Sequence, residues 1–422
     1  MSRAGADGAL DEIFRAEYGR LCAALIRMLG EIERAEELVQ EALVAALERW
    51  PLAGVPDNPG AWLMTTARNR ALDHLRREKR LREKAPLIAA EQRHAEEPVE
   101  DAPTGALADD RLRLIFTCCH PALPPEGRSA LTLRLLGGLT TREIAAAFLV
   151  SEATAAQRIV RAKRAIADRR LPYRVPDPAE LPERLPSVLE VIYLIFNEGY
   201  AAREGDALVR ASLCEEALRL GRLLEQAAPE VGEVQGLLAL MELQAARQAS
   251  RSDERGELVL LEEQDRSRWD RVGIERARRR VERAQAGGDP GPYLLQAAIA
   301  ACHAAAPGFA ETDWRRIAGL YGLLAAQTRS PVVELNRAVA VAMAEGPLAG
   351  LALLEPLEGE RALRDYPLFH ATRAELLRRL GRHSEAAAHF RRALELTENA
   401  AARRHLERRV AECERAGCKP TD

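Results

Sequence analysis

Aromatic residues make up only 4% of this 422-residue chain, and the segments between turn residues lack the β-branched alternation of half-buried strands. Sheet-based folds are thereby excluded. No apolar run reaches the length of a bilayer-spanning helix, and the opening stretch, MSRAGADGALDEIF, has no signal-peptide core, so a cytoplasmic location is expected. Net charge is also scarce. The 61 Lys and Arg face 64 Asp and Glu, leaving −3, which excludes bulk polyanion binding and confines any nucleic-acid surface to local basic patches.

The seven cysteines, Cys22, Cys118, Cys119, Cys214, Cys302, Cys413 and Cys418, have neither the CxxC spacing of a zinc site nor an even disulfide framework. They are expected to be reduced and mostly buried. Cys118-Cys119-His120 brings ligating residue types together, but adjacent helical cysteines point apart and no second pair lies nearby, so a packing role at a helix end is expected. Dinucleotide, P-loop, zinc-protease and nucleophile-elbow motifs are all missing. The eight histidines are dispersed, and His74, His120 and His303 sit in helical contexts that suit packing. No catalytic residue, metal or cofactor is expected.

Alanine, leucine, arginine and glutamate dominate what remains. They predict an all-α chain, long enough for two to four domains. Between Leu10 and Trp50, apolar residues recur at helical spacing and break near Gly30, giving two amphipathic helices. The second carries Glu33, Glu36, Glu37, Glu41 and Glu48, a face that suits a protein partner better than DNA. Turn and breaker residues from Pro51 to Gly60 then separate this pair from a third helix. Its stripe, Trp62, Leu63, Ala67, Ala71, Leu72 and Leu75, is expected to be buried, Trp62 included. Its other faces carry Arg68, Arg70, Arg76, Arg77, Lys79, Arg80, Arg82 and Lys84 as a first basic patch. Thr65, Thr66, Arg68, Asn69, Arg70 and Asp73 add short polar groups suited to a strand backbone and unstacked bases.

Residues 85–108, rich in proline and acid, are expected to form a flexible linker. From Asp109 a helix is expected to end near Cys118, and Pro124-Pro125-Glu126 to start another that stops at Gly137-Gly138. Thr140 and Glu143 then make a capping box. Ser151 opens a second, basic helix, so the segment is predicted to be a helix-turn-helix. Residues near that helix's start reach base edges and later ones meet phosphates. Glu152, Thr154, Gln157 and Arg158 are therefore base candidates, and Arg161, Lys163 and Arg164 backbone candidates. From about Pro186 the helical period continues to Cys413. Asn336 through Gly346 lines up with Ala371 through Gly381 at an offset of 35, followed by Ala386, Phe390 and Ala393, as tetratricopeptide packing needs. Phe196-Asn197-Glu198-Gly199-Tyr200 is expected to be a helix end with a glycine cap.

The order of acidic helix, breaker loop, Pro-Gly-Ala-Trp-Leu basic helix, acidic linker and helix-turn-helix with TxxEIA resembles the extracytoplasmic-function subgroup of the sigma-70 family over about Leu10 to Arg170. That resemblance implies a region 2 that docks on the polymerase clamp and melts the −10 element, and a region 4 that reads the −35 element. It would place Glu37, Gln40, Glu41 and Glu48 on the clamp-binding face, and Asn69, Arg70, Asp73, Arg76 and Arg77 near the −10 strand. Core RNA polymerase (clamp and flap) and promoter DNA would be the partners. The Thr117-Cys-Cys-His-Pro segment and Ser187 to Tyr200 look like the subgroup with a C-terminal tetratricopeptide-like extension. There a regulatory protein on the extension is a further possible partner, and no membrane is involved. The implied domains are region 2 at 1–84, the linker at 85–108, region 4 at 109–174, a helical extension at 187–286 and a repeat domain at 287–415. An alternative function is a free-standing helix-turn-helix regulator with a helical effector or dimerisation domain. It leaves the acidic helix and the arginine-rich helix before the linker without a task.

Overall fold

The computed structural model describes residues 3–84, 104–148, 150–200, 207–251, 259–397 and 400–417. Nineteen α-helices and three short 3-10 turns are present among the described residues, and no strand. None of these helices is long and apolar enough to cross a membrane. The chain divides into two compact units, the first ending within a helix at Leu223.

In the first unit, α1 (Arg3–Leu29), α2 (Ile32–Ala53) and α3 (Pro59–Lys84) follow the expected breaks. Gly30 adopts φ 73°, the left-handed conformation that glycine takes without strain, and its N–H donates to Ile26 at 2.8 Å to close α1. Asn58 accepts from the Ala61 N–H at 3.0 Å and so starts α3. Leu21, Leu25, Val39, Ala42, Ala46, Leu63, Ala67 and Ala71 form the shared core. Leu72 and Leu75 of the expected stripe are only half-buried, and Trp62 departs from it too. It is only half-buried and stands edge-on to Trp50, ring centroids 5.4 Å apart, while Trp50 takes the interior place.

Then come α4 (Thr104–Cys118), α5 (Pro125–Leu135), α6 (Thr141–Ala147) and α7 (Glu152–Asp168), followed by α8 (Leu181–Tyr200) and α9 (Ala207–Ala227). Most of the expected linker, residues 85–103, lies outside the described residues, as does Leu149 in the turn. The linker's last five residues, however, belong to α4. α4 packs on α1, where Arg27 pairs with the buried Asp110 at 3.0 Å. The Tyr173 hydroxyl lies 2.8 Å from the Ala23 carbonyl and 3.2 Å from that of Asp110.

α8 packs within this unit. Arg128 donates to Ser187 at 2.8 Å, Arg184 to the Phe116 carbonyl at 2.6 Å, and Ser187 to the Cys119 carbonyl at 2.6 Å. Its Leu185, Val188, Leu189, Ile192, Ile195 and Phe196 are all buried. Gly199 is a buried position inside α8 and not the expected cap.

The second unit holds α10 (Gly232–Ala245), α11 (Arg271–Gln285), α12 (Pro292–Ala305), α13 (Trp314–Thr328), α14 (Pro331–Glu345), α15 (Pro347–Leu354), α16 (Arg361–Arg364), α17 (Pro367–Arg379), α18 (His383–Glu395) and α19 (Ala400–Gly417). Neighbours in sequence pack on one another along most of this series. Gly236 lets α10 meet α12, since a Cβ there would stand 2.5 Å from the Leu294 nitrogen. Arg280 is buried between Glu225, Glu242 and Gln235, the last at 2.6 Å, which satisfies a cation that would be costly alone. In the repeat, Ala338, Ala374, Ala386 and Ala393 are fully buried in one cluster around Phe369 and Phe390. Gly346 and Gly381 take positive φ at the helix ends. The buried alanines 338 and 374 are one residue further apart than the expected offset, whereas the two glycines keep it.

Candidate nucleic-acid interface

The helix-turn-helix is built from its caps. The Glu143 N–H donates to the Thr140 hydroxyl at 3.2 Å while the Thr140 N–H donates to the Glu143 carboxylate at 2.8 Å, closing the capping box. Ser151 accepts from the Thr154 N–H at 3.1 Å and opens α7. Ala155, Ile159, Ala162 and Ile166 face inward, one per turn or so, and fix the rotation of α7 about its axis. Glu152, Gln157, Arg161 and Arg164 are consequently exposed. Thr154 and Arg158 are half-buried at the margin, the Thr154 hydroxyl 2.8 Å from that of Ser151. Arg158, Arg161 and Arg164 make no ion pair among the described residues.

Lys163 points elsewhere. Its ammonium reaches α2 and pairs with Glu36. That carboxylate is 6% exposed and also accepts from Arg134 Nε at 3.0 Å and from the Tyr18 hydroxyl at 3.1 Å. Burial, with Cys22 and Glu36 beside it, pushes the Tyr18 hydroxyl far above the usual phenol range, so it stays protonated and donates. The backbones come close here too. A Cβ on Gly19 would stand 2.5 Å from the Leu136 carbonyl oxygen, and one on Gly138 would stand 3.0 Å from the Tyr18 Cβ.

Glu36 was expected on the exposed acidic face of α2 and lies instead in this buried cluster. Neither Tyr18 nor Arg134 stood out in the sequence. The one local signal for Glu36 is its place beside Ala35 and one turn before Val39, on the flank of the apolar stripe.

The other expected positions on α2 and α3 adjoin one another. Glu37, Gln40 and Glu48 are exposed, and Glu37 pairs with Arg34 at 2.6 Å. Glu41 and Arg70, placed by the sequence in different faces, pair across α2 and α3 at 2.6 Å. Asn69, Asp73, Arg76 and Arg77 are exposed on α3, with Asp73 and Arg76 3.4 Å apart. His74 stands 3.7 Å from Glu78.

Cys118 and Cys119 are buried, Cys119 faces the Thr132 hydroxyl at 3.5 Å, and burial pushes its thiol up to about 12. His120 accepts from the Ala122 N–H at 3.0 Å, and burial, with Arg184 and Arg128 close, lowers its pKa. Among the described residues no group of three or more His, Cys, Asp or Glu side chains has the arrangement of a metal site.

Residues 13–81 match the model of Sigma-70 region 2, residues 113–166 that of Sigma-70 region 4, and residues 184–285 that of a family of unknown function, DUF6596. An uncharacterized protein of Rhizobium meliloti is 46% identical over 379 residues, 89% of each chain. The ECF RNA polymerase sigma factor SigL of Mycobacterium tuberculosis is 30% identical over 169 residues, 38% of this chain and 91% of SigL. The probable ECF RNA polymerase sigma factor SigI of the same species is 31% identical over 168 residues, and the match spans 40% of this chain but only 57% of SigI.

Proposed function

Since the chain belongs to the extracytoplasmic-function group of the sigma-70 family, whose members bind core RNA polymerase and direct promoter-specific transcription initiation, we propose how its faces share that work. Glu37, Gln40, Glu41 and Glu48 meet the polymerase clamp. Asn69, Arg70, Asp73, Arg76 and Arg77 hold the −10 strand, using short polar groups and guanidinium planes against splayed bases. Glu152, Thr154, Gln157 and Arg158 read the −35 bases, while Arg161, Lys163 and Arg164 bind phosphates. The chain carries out no chemistry itself, acts in the cytoplasm, and its second unit, with the tetratricopeptide-like repeats of residues 287–415, regulates initiation through a protein partner.

The observation that carries this reading is the row of arginines on α7 without carboxylate partners among the described residues, on a helix whose rotation the buried face fixes. Transcription by core polymerase plus this chain from a library of upstream sequences is the test. Start sites downstream of one shared bipartite motif are the expected result. Duplex binding without core binding or initiation would instead make the chain a free-standing regulator.

A further inference from the structure

The buried cluster at Glu36 combines one carboxylate with two cations, Arg134 and Lys163, and the Tyr18 phenol, which donates to that carboxylate. Glu36 and Arg134 are tied into the body of the unit. Lys163 differs, since it comes from the helix that carries the unpaired Arg161 and Arg164, and its partner lies 127 residues away in the sequence. Losing Lys163 leaves Glu36 still held by Arg134 and Tyr18, so the carboxylate is not stranded when the lysine departs. Any competing anion must supply what Glu36 supplies, a negative oxygen at the edge of α7. A DNA phosphate does so.

We propose that Glu36 stands in for a DNA phosphate within the free chain, holding Lys163 of the recognition helix against α2 and so restraining duplex binding until a phosphate replaces it. This rests on the placement of Lys163 among the phosphate-binding residues. It adds a restraint internal to the two DNA-binding modules and independent of the second unit. The logic gives opposite signs for two neighbouring substitutions. Glu36→Gln weakens the hold on Lys163. Arg134→Gln leaves Glu36 with Lys163 as its one cation and strengthens that hold.

The test measures binding of the full-length chain to a labelled 30-base-pair duplex of mixed sequence, across a salt series, with helix content checked by circular dichroism. E36Q is expected to bind roughly tenfold more tightly than the unaltered chain, with a salt slope steeper by about 0.9, the value for one added phosphate contact. R134Q is expected to bind several-fold more weakly. Equal affinities, or shifts of the same sign in both folded variants, would overturn the proposal. If E36Q does not fold, R134Q decides alone, and unchanged or tighter binding overturns it. If no version binds the duplex, Lys163 has no phosphate to meet and the proposal fails, whereas promoter-directed transcription with core polymerase still tests the family function separately.

Discussion

Arginine crowds α11, α17 and α18 in the second unit as it crowds α3 and α7 in the first, yet the two groups of helices use it differently. In the second unit Arg278 and Arg279 pair with Glu275, Arg378 and Arg379 with Glu375, Arg382 with Glu385, and Arg392 with Asp365 and Glu395. Most are partners three or four residues away on the same helix, a spacing that stabilises a helix and presents little net charge. On α7 Arg158 and Arg161 lack such partners, because Thr154, Ala155, Gln157, Ala162 and Ala165 occupy places where acids would neutralise them, and Asp168, four residues after Arg164, makes no ion pair with it among the described residues. A basic composition alone therefore does not mark a polyanion surface. The spacing of acids relative to the arginines does.

The sharpest way to break this comparison is to cut the chain at two points. Ending it after Ala227 should leave the first unit folded, whereas ending it after Arg174 should abolish both cooperative melting and promoter-directed transcription. The second cut removes Leu185, Val188, Leu189, Ile192, Ile195 and Phe196, buried side chains worth about 1.5–3 kcal/mol each. Helix content and thermal melting of the two fragments check this. Equal behaviour would mean that α8 belongs with the second unit after all.

Next in size is the contrast between unpaired and paired arginines. Arg161→Ala or Arg164→Ala should lower duplex affinity several-fold and reduce the salt slope by about one each, while Arg279→Ala and Arg392→Ala should change neither. A loss of DNA affinity in the second pair would move part of the nucleic-acid surface into the second unit.

A titration separates the units in another way. His303, edge-on to Trp314, is held down to about 4 by burial and by the charges of Arg247 and Arg266, below its ordinary 6.5. Between these values the unfolded chain binds a proton that the folded chain refuses. Stability present above pH 6.5 is therefore lost as the pH falls towards 4, by on the order of 3 kcal/mol. The melting temperature of the second unit should drop over that window, and His303→Gln should flatten the drop.

The smallest expected effect is at Thr140. Replacement by Ala opens the capping box and should cost about 1 kcal/mol of stability, read as a lower melting temperature of the first unit with α7 itself intact.

Helices and caps were legible because their causes are local. Gly30, Thr140 with Glu143, and Ser151 each act within four residues, and the period of apolar residues set which side of α2 and α3 turns inward. Where the sequence misled, the decisive partner was distant. Glu36 looks like its exposed neighbours until Arg134 and Lys163, 98 and 127 residues on, are brought to it by folding. Gly199 resembles a cap because nothing nearby reveals that α8 continues through it. Trp62 lost the interior to Trp50, a choice between two large rings that periodicity does not make. The exposed rows on α2, α3 and α7 were readable as surfaces, but the pairing of Glu41 with Arg70 came only from the packing of α2 on α3.

The six described cysteines, buried in both units, make the folded chain its own conformational clock. A thiol that is covered, and in the case of Cys119 also reluctant to ionise, meets an alkylating reagent only when the structure around it opens. With Cys418 replaced by serine, the rate at which Cys22 and Cys119 are modified would report openings of the first unit, and Cys302 and Cys413 those of the second. Both would be read from one sample.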